Sequence, residues 1–225
     1  MNKTICFFAI ILGLLLTGCN FKEQRIAQKL AANLGSEVYN LGYSNQSEYH
    51  KRHNQTFHLT IKNLRSGLLA ERMTSQTAYG FYIADTPMSY KYAWIDITLN
   101  SESSGFSRSY SSDSLALIPP VLRGVVWDFL HAHTFDRLRS VVDTNISDSL
   151  VLRCVSELQI RDSLSGGAVN NIKVEGFAFH HLPTTNEPGL LLWLGAETKK
   201  SYTRYKMMVA LQRNLIRGVQ ANPED

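Results

Sequence analysis

His131-Ala132-His133, flanked by Asp128 and Asp136, is the densest local grouping of side chains able to bind a metal or move a proton. Imidazole nitrogens and carboxylates are ordinary zinc ligands, but a protein site takes three or four of them. On a helix, residues two apart point about 200° away from each other, so the two imidazoles share an ion only if the helix ends between them. Asp128 with His131, and His133 with Asp136, stand three apart and can each pair. One carboxylate with one histidine is too few for a metal, and the spacing favours hydrogen bonding near a helix end. His180-His181 falls in an alternating stretch, where adjacent side chains point to opposite faces, so one ring faces the core or a cleft and the other faces solvent. Cys154 can be imagined as a nucleophile beside either histidine. It lies on the apolar face of a helical pattern, without the electropositive setting that activates a thiol, and reads as a buried packing residue. These residues therefore yield no catalytic, cofactor-binding or metal assignment.

Longer motifs are missing. The sequence has no Gly-x-Ser-x-Gly, His-Glu-x-x-His, phosphate-binding loop or Gly-x-Gly-x-x-Gly, and Gly166-Gly167 reads as an ordinary turn. Ser101 to Ser114 is rich in hydroxyls without a general base in register, which makes it a hairpin surface. Tyr79, Phe81, Tyr82, Tyr90, Tyr92 and Trp94 bunch together. Such rings can line a glycan or peptide groove, although a core with one amphipathic surface accounts for them more simply. Lys51-Arg52, between His50 and His53, reads as a solvated hairpin tip. Lys199, Lys200, Arg204 and Lys206 read as a basic turn and strand edge that guards against pairing or faces a membrane.

The remaining chemistry is a thiol. Lys3 precedes an apolar run from Ile5 to Leu16, and small residues lead into Cys19, which is the three-part layout of a secretory signal. Leu16-Thr17-Gly18-Cys19 resembles the lipobox of bacterial lipoproteins. The resemblance implies that residues 1–18 are a signal peptide, that the Cys19 thiol receives a diacylglyceryl group, and that Cys19 becomes the first residue of the mature chain. The apolar run is about a dozen residues against the ~20 a spanning helix needs, and charged residues follow at once. Two or more acyl chains hold firmly, each buried methylene adding about 0.8 kcal/mol.

In the body, Phe21 to Leu34 has helical spacing and closes at Gly35. Val38 to Tyr43 and Thr56 to Leu64 alternate as strands. Ser66 can cap a helix that stops before Asp85-Thr86-Pro87. Tyr92 to Leu99 returns as a strand with Ile95, Ile97 and Leu99 on one face, and Phe106 to Ser111 follows, giving α-β-β-α-β-β. Pro119-Pro120 marks a boundary, with a new helix expected from about Val121. Three helices follow, the second carrying Phe135 and Leu138, the third capped by Ser147 or Ser149 and packing Leu150, Val151, Cys154, Val155 and Leu158. Strands at Val169 to His181, Leu190 to Thr198 and Tyr202 to Gln212 follow, and Leu215 to Val219 can add a short fourth, giving a three- or four-stranded antiparallel meander. The fold class is thus α+β in two small units, 19–118 and 119–225. The element order from Val121 to Ala221 resembles the cone-shaped NTF2-like or cystatin-like domains, a likeness that carries no function.

A formal charge of +4, from 23 basic and 19 acidic residues, is too mild and too scattered for a nucleic-acid partner. With Cys19 acylated and Cys6 lost with the signal, Cys154 is the one thiol of the body, and no intramolecular disulfide can form. The lipobox resemblance implies a lipid-anchored protein of the bacterial cell envelope, at the outer membrane if the source is diderm. It is expected to act as a binding or scaffold protein for an envelope protein, peptide or glycan, with no cofactor. The alternative is an envelope hydrolase with a composite histidine-containing site around His131, His133 or His180.

Overall fold

The computed structural model describes residues 22–45, 55–62, 69–84, 92–100, 105–182 and 185–222. The signal peptide and Cys19, the His50 to His53 tip, the Ser66 cap and Tyr90 lie outside the described residues. The chain is α+β and divides into two compact units, Met1–Gly67 with Gly80–Ser112, and Leu68–Tyr79 with Asp113–Asp225.

In the first unit, a helix over residues 22–33 (α1) ends on Gly35, whose φ of 64° closes the last turn as Ser36 N–H donates to the Ala31 carbonyl at 2.9 Å. The strands are β1 (Glu37–Asn45), β2 (Gln55–Lys62), β3 (Tyr92–Asn100) and β4 (Gly105–Ser111). They form one sheet in the order β1-β2-β3-β4. β2 and β3 run parallel, because the chain crosses over between them through α2 (Ala70–Ala84), while the outer pairs are antiparallel. Alternation buries Phe57, Leu59 and Ile61 of β2 and Ile95, Ile97 and Leu99 of β3 on one face. Each such side chain contributes about 1.5–3 kcal/mol relative to exposure. Phe57 stacks on Phe81 with ring centroids 3.9 Å apart, and buried Tyr92 donates to Glu23 Oε1 at 2.8 Å. Gly80 lets α1 approach α2, since a Cβ there would fall 2.7 Å from Leu30 Cδ2.

The second unit opens on short helical pieces: α3 (Ser112–Ala116), α4 (Ile118–Val121), a π turn (Leu122–Val126), α5 (Trp127–Leu130) and α6 (Phe135–Arg139). The prolines do not delay the helix to Val121. Pro119 and Pro120 sit in the first turn of α4, where the N–H groups they lack would have no intrahelical partner. Gly124, at ψ −108°, then kinks the run. The long helix α7 (Asp148–Leu164) buries Val151, Val155 and Leu158 but leaves Leu150 exposed. The meander β5 (Asn171–His181), β6 (Pro188–Glu197), β7 (Tyr202–Ala210) and β8 (Leu215–Ala221) is antiparallel throughout.

Both edges of this second sheet are covered. Along β5, the first turns of α2 lie against the strand: Arg72 Nε donates to the Glu175 carbonyl at 3.3 Å, and Phe177 N–H donates to Ser75 Oγ at 2.9 Å. Along β8, Asp143 N–H donates to the Ile216 carbonyl at 2.8 Å, and Ile216 N–H to the Val141 carbonyl at 2.9 Å. Edge strands otherwise offer unpaired backbone groups to other chains.

Candidate functional site

In the second unit, α7 and the β7–β8 face enclose a half-open cleft of about 380 Å³, lined chiefly by Phe129, Cys154, Leu158, Arg161, Thr203 and Tyr205. The helix supplies its lining at three- and four-residue spacing, and β7 supplies Thr203 and Tyr205 at alternate positions, so both periodicities converge on the space. Arg161 does not project a free charge into it. Its guanidinium donates to Asp162 Oδ1, to the Leu130 carbonyl at 2.8 Å and to the Tyr205 hydroxyl at 3.3 Å. The walls are therefore largely apolar, with Tyr205 and Thr203 as hydroxyl markers. Cys154 is half-buried, and its burial, with the nearby Glu157 carboxylate, pushes the thiol up. That agrees with an unactivated thiol, although the residue faces a cleft rather than solid core.

The histidine–aspartate grouping is spread apart. His131 presents Nδ1 to the Trp127 carbonyl and Nε2 to the Val169 carbonyl, each at 2.8 Å, and its ring stacks on Trp127. Neither nitrogen is left for a metal. His133 pairs with Asp162 at 3.4 Å instead of Asp136, and Asp128 lies 3.9 Å from Arg137. His180 and His181 are both exposed, at the end of β5, so neither ring points into the core. Among the described residues no three His, Cys, Asp or Glu side chains gather as a metal site.

The aromatic bunch is mainly interior. Tyr79, Phe81 and Tyr92 are buried, Tyr82 is half-buried, and Trp94 is exposed on the opposite face of β3. The basic strand is not an edge, because β7 pairs with β6 and β8 on its two sides. Its outward positions alternate with buried Tyr205 and Met207. Arg204 reaches Glu175 at 3.5 Å, and Lys206 lies 5.8 Å from the centre of the Trp193 ring. Glu175 also accepts from Arg72 and from the Tyr202 hydroxyl, whose pKa is pushed up by burial and by that carboxylate.

One constellation went unseen in the sequence. On the outward face of the first sheet, Ser44 Oγ lies 2.7 Å from His58 Nε2, and His58 Nδ1 lies 3.0 Å from Asp96 Oδ2. His58 is directly opposite Asp96 across the β2–β3 pair and opposite Gly42 across β1–β2, which places Ser44 on the neighbouring rung. Three polar residues inside three alternating strands were the available signal, but their meeting depends on strand register. The serine-rich strand also has an acid in register, since Ser109 of β4 sits opposite Asp96. No protein-family model, curated protein or solved structure matches this chain.

Proposed function

We propose that this is an exported protein, held to a membrane by lipid on Cys19, whose second unit binds a small, largely apolar ligand carrying one polar group. The anchor rests on Lys3, the apolar run and Leu16-Thr17-Gly18-Cys19. No helix among the described residues is long and apolar enough to cross a membrane. The binding role rests on the cleft between α7 and the sheet, whose volume of about 380 Å³ and apolar walls with Tyr205 and Thr203 suit such a ligand. A hydrolase built on His131, His133 or His180 has less behind it, since His131 spends both ring nitrogens on backbone carbonyls.

Native mass spectrometry of the full-length protein, extracted from membranes in mild detergent, tests both halves of the reading. The expected mass carries a diacylglyceryl group on Cys19 and a small-molecule adduct. Thr203→Trp fills the cleft from the sheet side and is expected to lose the adduct while keeping the lipid. An unmodified Cys19 overturns the anchor; an adduct that survives Thr203→Trp, or no adduct in the wild type, overturns the binding site.

A further inference from the structure

We propose that Ser44, His58 and Asp96 form an acyl-ester hydrolase site on the outward face of the first sheet. The inference is independent of the cleft and rests on connectivity. Asp96 meets Nδ1 and Ser44 meets Nε2 of the same ring, at 3.0 Å and 2.7 Å. A carboxylate only accepts hydrogen bonds, so the proton of a neutral ring sits on Nδ1 and Nε2 is left as an acceptor. The bond between Ser44 and His58 then runs from Oγ–H to Nε2, the direction in which a base withdraws a proton from a nucleophile. The group at the end of this relay is open: Ser44 is exposed, and the His58 side chain is 40% exposed.

The surroundings supply an apolar surface beside the nucleophile. Trp94 stands on the same face, on the rung that runs Ser44–Thr56–Trp94, and at 41% exposure it offers a flat apolar surface to an acyl or alcohol group. The substrate class is a carboxylic ester, whose carbonyl carbon meets Ser44 Oγ while its acyl or alcohol group lies on Trp94.

In the reaction, Ser44 Oγ bonds to the ester carbonyl carbon while its proton passes to His58 Nε2. The tetrahedral intermediate collapses, the carbon–oxygen bond to the alcohol breaks, and His58 returns the proton to the departing alkoxide. Water, deprotonated by the same ring, then hydrolyses the Ser44 ester, releasing the carboxylic acid and restoring the hydroxyl. Ser44 and His58 are the catalytic residues; Asp96 is a positioning residue that sets the tautomer.

Full-length protein in detergent is assayed with p-nitrophenyl acetate and labelled with a fluorophosphonate, the labelled peptide being read by mass spectrometry. The expected label is on Ser44, and it is lost in His58→Ala. Hydrolysis falls by at least about 100-fold in Ser44→Ala and His58→Ala, with melting temperatures unchanged at this solvent-facing position. Asp96→Asn lowers kcat with KM unchanged, and Asp96→Glu restores part of it. Absence of label on Ser44, absence of hydrolysis by the wild type, or hydrolysis that persists in Ser44→Ala overturns the proposal.

Discussion

Asp143 is fully buried, yet both carboxylate oxygens are engaged: Oδ1 accepts from Asn145 N–H at 2.9 Å, and Oδ2 meets Arg217 at 2.8 Å and Arg213 at 2.9 Å. Burial alone would raise this carboxyl; the Asn145 N–H and the two guanidinium groups outweigh it and hold the pKa below the ordinary carboxylate value. The unfolded chain therefore takes up this proton at a higher pH than the folded one. The resulting stabilisation is complete above the ordinary carboxylate pKa and is lost as pH falls through the lowered folded value. Asp143→Asn is expected to cost about 3 kcal/mol at neutral pH, the lower end for breaking a buried pair, because Arg213 is partly exposed. Denaturant unfolding at neutral pH and again at about pH 3, below the ordinary carboxylate value, should show the gap between variant and wild type narrowing in acid. An equal gap at both pH values contradicts the assignment. None of this was legible in the sequence, since Arg217 lies 74 residues from Asp143. The same holds for Ser44, His58 and Asp96, joined by register across strands. Conversely, His131 and His133 look like a site because they are neighbours, and the ends of short helices turn them to different partners.

Regular alternation carried much further. The buried faces of β2 and β3 and the inward row Tyr205, Met207 and Val209 of β7 follow directly from period-two spacing. What spacing does not encode is which strand becomes an edge, which is why the basic residues of β7 read as an edge guard. Nor does it encode the irregularity between Val174 and Gly176 in β5. Gly176 has a specific task there: a Cβ would fall 2.5 Å from Arg72 Cγ and 3.3 Å from Arg72 Cα. Arg72 Cγ lies near the root of its side chain and cannot clear the space as a tip would, and the Arg72 Cα must also give by a few tenths of an ångström. Gly176→Ala is thus expected to lose about 1–3 kcal/mol and to expose the Phe177 amide, which donates to Ser75 Oγ. Hydrogen exchange at Phe177 with denaturant unfolding checks it, with Gly42→Ala as a control because nothing lies within 4 Å of a Cβ there. Unchanged Phe177 protection in the variant rules the account out.

The division of the chain is not one cut. Leu68–Tyr79 belongs with Asp113–Asp225, while Gly80–Ser112 returns to the first unit, so α2 is shared between them along its length. Prolines and turns mark breaks in a linear chain and say nothing of a segment lent to a unit more than a hundred residues on. A fragment of residues 113–225 lacks the helical turns that cover β5. It is expected to self-associate in a concentration-dependent way through that open edge, whereas the full chain's second sheet keeps both edges closed; sedimentation over a range of concentrations measures the difference. A monomeric fragment with the full chain's hydrogen-exchange protection along β5 contradicts this.

Cover and edge are also made at different times. Ser75 and Phe177 are 102 residues apart, and in a chain that emerges N-terminus first the covering turns exist long before the strand they protect. Until β5 arrives, Thr74, Ser75 and Thr77, all buried in the finished fold, wait on a helix whose other half has its own core to join. The loop between them is long, although its closure cost rises only by about 0.6 kcal/mol per doubling of length. Early pairing of β3 with β4, within that loop, shortens it. The cover of β5 is therefore laid down far ahead of the strand in the chain, and the two meet only after both of these long loops close, 102 residues for Ser75 with Phe177 and 103 for Arg72 with Glu175.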